Sequence, residues 1–129
     1  MRSRRWAVSK IVTIRSGSFL ANVTADGFIG LGMRRVQKLA RLMASEPQEN
    51  QKAVDAIRGT FQAHIDAAKK KWEDAQRAYR TEYIASKFTQ ASEALIDRHN
   101  QKLLNDVKKA KRAYDTLIKK KEIFEKEIT

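Results

Sequence analysis

From Thr60 to Thr129 the sequence reads TFQAHIDAAKKKWEDAQRAYRTEYIASKFTQASEALIDRHNQKLLNDVKKAKRAYDTLIKKKEIFEKEIT, without one glycine or proline. Glycine and proline are the residues that most often end a helix, so this run permits long helices. Apolar side chains recur in it at steps of three and four residues, which places them along one stripe of a helix. The run therefore predicts one or two long amphipathic helices whose apolar stripe must be covered.

The stripe begins slightly upstream of this run, and its members define a predicted helix-packing interface. They are Val54, Ile57, Phe61, Ile65, Trp72, Tyr79, Tyr83, Leu95, Leu103, Val107, Tyr114, Leu117 and Phe124. We expect these side chains to pack against another helix, either within the chain or in a second copy. The aromatic members are interpreted as packing residues and not as a platform for nucleic-acid bases.

The length of the helical region indicates that the chain folds back. One unbroken helix over residues 46–129 would be about 126 Å long, and alone it could not bury its stripe. The apolar phase slips after Tyr83, and the segment Ser86–Ser92 contains residues that cap helices. We therefore predict a mainly α fold, a long coiled-coil-like antiparallel helical hairpin that turns near Ser86–Ser92. A turn at His99-Asn100 is an alternative.

The segment Ser45-Glu46-Pro47-Gln48 has the features of a helix start. Its serine can cap, its proline lies in the first turn, and its glutamine completes a capping box. We therefore predict two regions, a basic N-terminal arm over residues 1–44 and the helical hairpin over residues 45–129. Gly59-Thr60 is compatible with either a kink or a continuous helix, because one glycine costs a helix only about 1 kcal/mol.

Charge is unevenly distributed along the chain, whose formal net charge is +12 and whose sequence pI is about 10.2. Residues 1–44 hold nine basic residues and one acid, a net +8, whereas residues 45–129 hold 18 basic residues and 14 acids, a net +4. A concentrated positive field favours nucleic acid, anionic lipid or an acidic protein surface. The predicted anion or nucleic-acid contacts are Arg2, Arg4, Arg5, Lys10, Arg15, Arg34, Arg35, Lys38 and Arg41.

Two interpretations of the arm compete. In the first, its arginine-rich start, which has no acid before Asp26, is a mitochondrial targeting segment. In the second, the arm folds, because two short runs of alternating apolar residues flank Ser16-Gly17 and a second turn signal, Asp26-Gly27, follows them. This pattern predicts a short β-hairpin or a three-strand meander, followed by a short amphipathic helix.

Membrane insertion is not expected. Residues 16–33 have the length of a short span, but they contain Asn22 and Asp26, and an acid within a span costs several kcal/mol. Surface contact with anionic lipid through the basic face around Arg34 and Lys38 is an alternative to packing of that short helix against its long neighbour.

The residues that carry catalytic or cofactor chemistry are sparse. The chain has no cysteine, which removes disulfides, thiol catalysis and cysteine zinc sites. His64 and His99 share no carboxylate at a spacing that suits a metal. The glycines of residues 27–32 follow the spacing GxxGxG, which differs from the dinucleotide-binding fingerprint and indicates a glycine-rich turn. We therefore predict no catalytic residue, no cofactor and no metal site.

These features favour a non-enzymatic structural subunit of a larger assembly, such as a mitochondrial complex, a ribosome or a virion. Its helical hairpin would pack against protein partners or a second copy, and its basic arm would make anionic or subunit contacts. One alternative is a nucleic-acid-binding protein of ribosomal or nucleoid type, and another is a structural component of a virion. The expected location is mitochondrial if the arm is a targeting segment, and otherwise cytoplasmic or virion-associated.

Overall fold

The computed structural model describes residues 9–85 and 93–129. Of these residues 75% are helical, and the remainder includes a two-strand antiparallel sheet. The elements are β1 (Ile11–Ser16), β2 (Phe19–Thr24), α1 (Ala25–Ile29), α2 (Met33–Ser45), α3 (Gln51–Glu82) and α4 (Glu93–Ile128). The described residues form two compact units, here unit 1 (residues 9–63 and 117–129) and unit 2 (residues 64–85 and 93–116).

Strands β1 and β2 form the predicted β-hairpin. Ser16 pairs with Phe19, so the connecting loop has two residues. Gly17 occupies the first loop position with φ +58°, a conformation that favours glycine and that suits the twist of a tight hairpin. The turn signal at Ser16-Gly17 is therefore confirmed.

The predicted three-strand meander is wrong, because the second turn signal lies in a helix. Thr24 caps α1, and its Oγ1 accepts a hydrogen bond from the backbone N–H of Gly27 at 2.9 Å. Asp26 lies in the first turn, where a carboxylate is favourable. Thr24 as the cap, with Asp26 two residues later, thus starts a helix here instead of a third strand.

One hydrophobic core joins the hairpin, α1, α2 and the ends of both long helices in unit 1. Three phenylalanines lie at its centre, and their ring centroids are 6.4 Å apart for Phe28–Phe61, 5.6 Å for Phe28–Phe124 and 5.8 Å for Phe61–Phe124. Around them pack Val12, Ile14, Ala25, Ile29, Val36, Ala40, Met43, Ala53, Val54 and Ile57. The core thus contains residues from both sides of the predicted boundary between residues 44 and 45, because apolar residues of β1, α1 and α2 pack against α3 and α4.

The predicted helix start at Ser45 is also wrong. Ser45 is the last residue of α2, where its hydroxyl donates to the carbonyl of Leu42 at 2.6 Å, and α3 begins only at Gln51. A serine hydroxyl can bond backward to a carbonyl three or four residues earlier, as well as cap a helix start. Gly59 lies inside the continuous helix α3, so no break occurs there.

The long helical region is not one helix. Helix α3 ends at Glu82, and residues 83–85 are not helical. The predicted turn at Ser86–Ser92 lies outside the described residues. The alternative turn at His99-Asn100 is wrong, because α4 continues through both residues.

Most of the predicted helix-packing residues are buried or half-buried, but two are not. Tyr83 is 46% exposed and Leu95 is 54% exposed, whereas Ile96, next to Leu95, is 5% exposed. The inward stripe of α4 runs from buried Ile96 through half-buried Asn100 to buried Leu103, at steps of four and three. The sequence pattern missed this register because position 100 is an asparagine, which is polar.

Candidate interaction surfaces

Asn50 is the buried polar residue around which unit 1 is assembled, and its side chain has 0% exposure. Its Oδ1 accepts from the backbone N–H of Arg15 at 2.8 Å, and its Nδ2 donates to the carbonyl of Arg15 at 2.8 Å. The same Nδ2 also lies 3.1 Å from the carbonyl of Met43 and 3.0 Å from that of Glu46. One side chain therefore ties β1, the end of α2 and the start of α3 together.

These bonds show which backbone groups of β1 point outward, away from β2. In an antiparallel pair the backbone groups of successive residues point alternately toward and away from the partner strand. The carbonyl of Lys10 accepts from Ala25 on the β2 side, whereas Arg15 bonds outward to Asn50. The backbone N–H and C=O groups of Ile11 and Thr13 therefore point outward as well. Within the described residues, no protein group pairs with them.

A groove of about 610 Å³ runs along this outer edge. One wall is β1, and the other is formed by Glu49 and by the first turns of α3, with Lys52, Ala53 and Ala56. Lys10 and Arg15 contribute positive charge from the strand side, and Lys52 contributes it from the helix side. The groove thus combines unpaired backbone groups, a small apolar floor and a mainly positive rim.

The outer face of the β-hairpin is exposed and partly apolar. Register places Ile11, Thr13 and Arg15 of β1 on this face, together with Leu20 and Asn22 of β2. Ile11 is 67% exposed and Leu20 is 54% exposed. The hydroxyl of Thr13 donates to Oδ1 of Asn22 at 2.6 Å, which links the two strands across the face.

A second positive surface lies on α2. Arg34, Arg35, Lys38 and Arg41 are exposed there, and three of them share a stripe at steps of four and three. Among the other predicted anion contacts, Lys10 and Arg15 line the groove beside β1. Arg2, Arg4 and Arg5 lie outside the described residues. The described members of the predicted set thus lie on at least two separate elements, the start of the β-hairpin and α2.

Acidic residues near the end of α4 bind the other helices of unit 1. Glu125 accepts two hydrogen bonds from the guanidinium of Arg58, at 2.7 and 2.8 Å, and these lower the pKa of the Glu125 carboxyl. Glu127 accepts from Gln37 at 3.1 Å and from Arg41 at 3.1 Å, which lowers its pKa too. Arg41 is therefore partly neutralised by an acid of its own chain.

A second asparagine repeats in unit 2 what Asn50 does in unit 1. Oδ1 of Asn100 accepts from the backbone N–H of Ile84, and its Nδ2 donates to the carbonyl of Ile84, both at 2.9 Å. Beside it, Nε2 of His99 lies 2.7 Å from the carbonyl of Glu82. Because a carbonyl oxygen only accepts, this nitrogen of His99 carries a proton. The two side chains hold the segment that follows α3 against α4.

Trp72 and Tyr114 make the other marked contact of unit 2, with stacked rings 5.6 Å apart. Nζ of Lys111 lies 5.6 Å from the centre of the tryptophan ring, a cation–π distance. Trp72 and Tyr114 thus pack against each other within unit 2.

The glycine-rich segment of residues 27–32 is held by contacts within the fold. Phe28 and Ile29 of the glycine-rich segment are buried in the core, and the ammonium of Lys120 donates to the carbonyl of Ile29 at 3.0 Å. Among residues 9–85 and 93–129, no three His, Asp or Glu side chains are grouped so that they could hold a metal ion. Over the same residues, no helix is long and apolar enough to cross a membrane.

Protein-family models, curated proteins and solved structures give no match to the chain.

Sequence reasoning missed Asn50, Asn100 and the groove. Both asparagines lie among polar residues in the sequence, and their roles depend on backbone groups that are 35 and 16 residues away. The one signal for Asn100 is its place in the alternating four-and-three register of α4, where a polar residue interrupts an otherwise apolar stripe.

Proposed function

We propose that the chain is a non-enzymatic structural subunit that binds a protein partner through the outer face of its β-hairpin. In this proposal α3 and α4 form an antiparallel, coiled-coil-like helical hairpin that packs against protein partners or a second copy. The positive charge near the hairpin selects a partner with an acidic surface.

The observation that carries the proposal is the exposed pair Ile11 and Leu20. Both lie on the outer face of the sheet, Ile11 at one end and Leu20 at the other. Leu20 pairs there with Arg15, and Thr13 and Asn22 lie between the two ends. Protein interfaces combine an apolar centre with arginine and a polar rim, and exposed apolar residues rimmed by charge mark such interfaces. The hairpin face combines exposed apolar residues, an arginine and polar residues, whereas Val12 and Ile14 on the opposite face of β1 are buried in the core.

The native mass of the chain tests the proposal. We expect the chain in gently prepared extract of its own cells to migrate in a particle much heavier than 14.8 kDa. The variant Leu20→Ser should release a large part of it as a light species. The matched control is Leu95→Ser, since both leucines are 54% exposed and only one lies on the hairpin. A chain that migrates alone would contradict the proposal.

The exposed basic stripe of α2 favours one alternative, binding to nucleic acid. That function predicts that the affinity for duplex DNA or RNA falls steeply with salt, by about 0.9 in log K per neutralised phosphate of DNA for each tenfold rise in salt. The double variant Arg34→Glu, Lys38→Glu should then reduce both the affinity and the slope. Binding that is absent at 50 mM salt, or that is unchanged in this variant, would reject the alternative.

A further inference from the structure

The structure assigns a specific docking mode to the groove beside β1: we propose that it accepts an extended, acidic segment of a partner protein as a third strand of the sheet. The proposal rests on the proposed function and adds to it the chemistry and the position of the bound segment.

The outward edge of β1 is ready to pair. The N–H and C=O groups of Thr13 and Ile11 point into the groove, and within the described chain nothing pairs with them. An added strand lies about 4.8 Å from its neighbour and bonds to every second residue, so these two residues offer four hydrogen bonds. Main-chain bonding of this kind gives affinity for an extended peptide with little demand on its sequence.

Asn50 already occupies the place of one residue of that strand. Its amide presents one acceptor and one donor to Arg15, which is the pairing that a backbone residue of a third strand would make. The incoming segment therefore begins beside Asn50 and extends past Thr13 toward Ile11. Asn50 fixes the end of the segment and its register.

The volume and the lining of the groove are compatible with an extended chain. Its volume of about 610 Å³ is within the usual range for sites that hold a ligand. Ala53 and Ala56 line the helix side, and their small side chains leave room for the side chains of an added strand.

Charge selects the occupant. Lys10, Arg15 and Lys52 line the groove with one acid, Glu49, so its rim is net positive. The first eight residues of the chain contain three arginines and no acid, so they have the wrong charge to fill it. A second copy of β1 would bring Lys10 and Arg15 against the same cations, which is unfavourable across strands. An acidic segment of another protein would pair with the outward backbone groups of β1 and would complement the positive rim of the groove.

Fluorescence anisotropy with a defined peptide tests the proposal on the full chain. The probe is a fluorescein-labelled octapeptide of alternating glutamate and valine, and its controls are a lysine–valine octapeptide and a glutamate–valine octapeptide with N-methylated amides. We expect the first peptide to bind, and each control peptide to bind at least tenfold more weakly. The N-methylated peptide keeps the charge but lacks the N–H donors, so equal binding of it would overturn the third-strand mode.

Two proline variants locate the site. Thr13→Pro removes an outward N–H of β1, and Asn22→Pro removes the equivalent outward N–H on the opposite edge of the hairpin. Both variants lose the Thr13–Asn22 side-chain bond, and proline is tolerated where the N–H lies outside the ladder. Thr13→Pro should weaken binding at least tenfold, and Asn22→Pro should change it less than twofold. Equal effects of the two would overturn the proposal.

Charge reversal supplies an independent test that does not alter the sheet. Lys52→Glu should weaken binding of the acidic peptide at least fivefold, whereas Lys108→Glu, an exposed lysine of α4, should leave it unchanged. Two other outcomes contradict the proposal: dimerisation of the chain that Thr13→Pro abolishes, and peptide binding that appears only after residues 1–8 are removed. These outcomes would assign the groove to a second copy or to the chain itself.

The two proposals fail separately. If Thr13→Pro and Lys52→Glu both remain in the heavy native particle, and the peptide does not bind at 1 mM, the third-strand mode fails while the proposed function stands. If the wild-type chain is not in such a particle, the proposed function fails.

Discussion

The side-chain amide of Asn50 pairs with both backbone hydrogen-bonding groups of Arg15, each at 2.8 Å, across 35 positions of sequence. Because the same amide also bonds to two carbonyls at the end of α2, it joins β1, the end of α2 and the start of α3. A buried amide with its donors and acceptor satisfied stabilises and specifies a fold, whereas one left unpaired is costly.

Replacing Asn50 by alanine should lower the free energy of unfolding by about 2–4 kcal/mol, because it leaves buried backbone groups of β1 and α2 without partners. Asn50→Asp should also destabilise, since a carboxylate cannot donate to the three carbonyls. Urea denaturation followed by circular dichroism measures both. The control is Gln51→Ala, an exposed amide that bonds only to Asp55, and it should cost less than about 0.5 kcal/mol. A similar cost for Gln51→Ala and Asn50→Ala would refute this role.

Replacing Asn100 by alanine should loosen the end of α3 locally. The backbone N–H of Ile84 then loses its partner, so its hydrogen exchange should accelerate by tenfold or more, corresponding to about 1.4 kcal/mol. Asn105→Ala provides the comparison, because Asn105 is an exposed asparagine of the same helix that bonds to Gln101. Unchanged exchange at Ile84 in the Asn100 variant would show that the amide contributes nothing there.

Two glycine substitutions should have opposite signs. Gly59 is exposed within α3, and a Cβ added there meets no atom within 4 Å, so Gly59→Ala should stabilise by about 0.5–1 kcal/mol. Gly17 has φ +58°, so Gly17→Ala should destabilise by about 1 kcal/mol even though space is available. Thermal unfolding measures both. A loss of stability in Gly59→Ala would contradict the open helical environment that the structure gives this position.

The ion pair between Arg58 and Glu125 predicts a pH dependence. The hydrogen bond from Arg58 lowers the pKa of Glu125 in the folded state, so the pair stabilises above the ordinary glutamate value and its contribution is lost as pH falls through the lowered value. Arg58 is 37% exposed, so screening limits the effect of Glu125→Gln to about 0.5–1 kcal/mol at pH 7. The difference between wild type and variant should shrink as pH falls below the ordinary glutamate value, and it should vanish once the pH is below the lowered pKa of Glu125.

Glu122→Gln is the matched control for this ion pair, because Glu122 is an exposed glutamate of the same helix. It should change the unfolding free energy little at any pH. A difference between wild type and Glu125→Gln that persists at pH 2 would contradict the pKa argument.

Local patterns were sufficient to predict the mainly helical content and the β-hairpin. The absence of glycine and proline after Thr60 permits α3 and α4, and Gly17 between two alternating runs specifies a tight turn. The same local rules misplaced the start of α3, because Ser45 satisfies either end of a helix and only the contacts of Asn50 distinguish the two.

The candidate site could not be predicted in the same way. The alternation of β1 predicts which side chains face the core, but it does not show which edge of the hairpin stays open. That edge is defined by Asn50 and α3, which are distant in sequence. The concentration of basic residues in residues 1–44 identified Lys10 and Arg15. It gave no indication that Lys52 of α3 lies beside them in the groove.

Hydrogen exchange of the hairpin in the native particle, compared with the isolated chain, tests the central claim most directly. The account predicts that the backbone N–H groups of Ile11 and Thr13 become strongly protected in the particle, while those on the exposed surface of α4 around Lys108 do not change. Exchange at Ile11 and Thr13 that is equally fast in the particle and in the isolated chain would contradict the account.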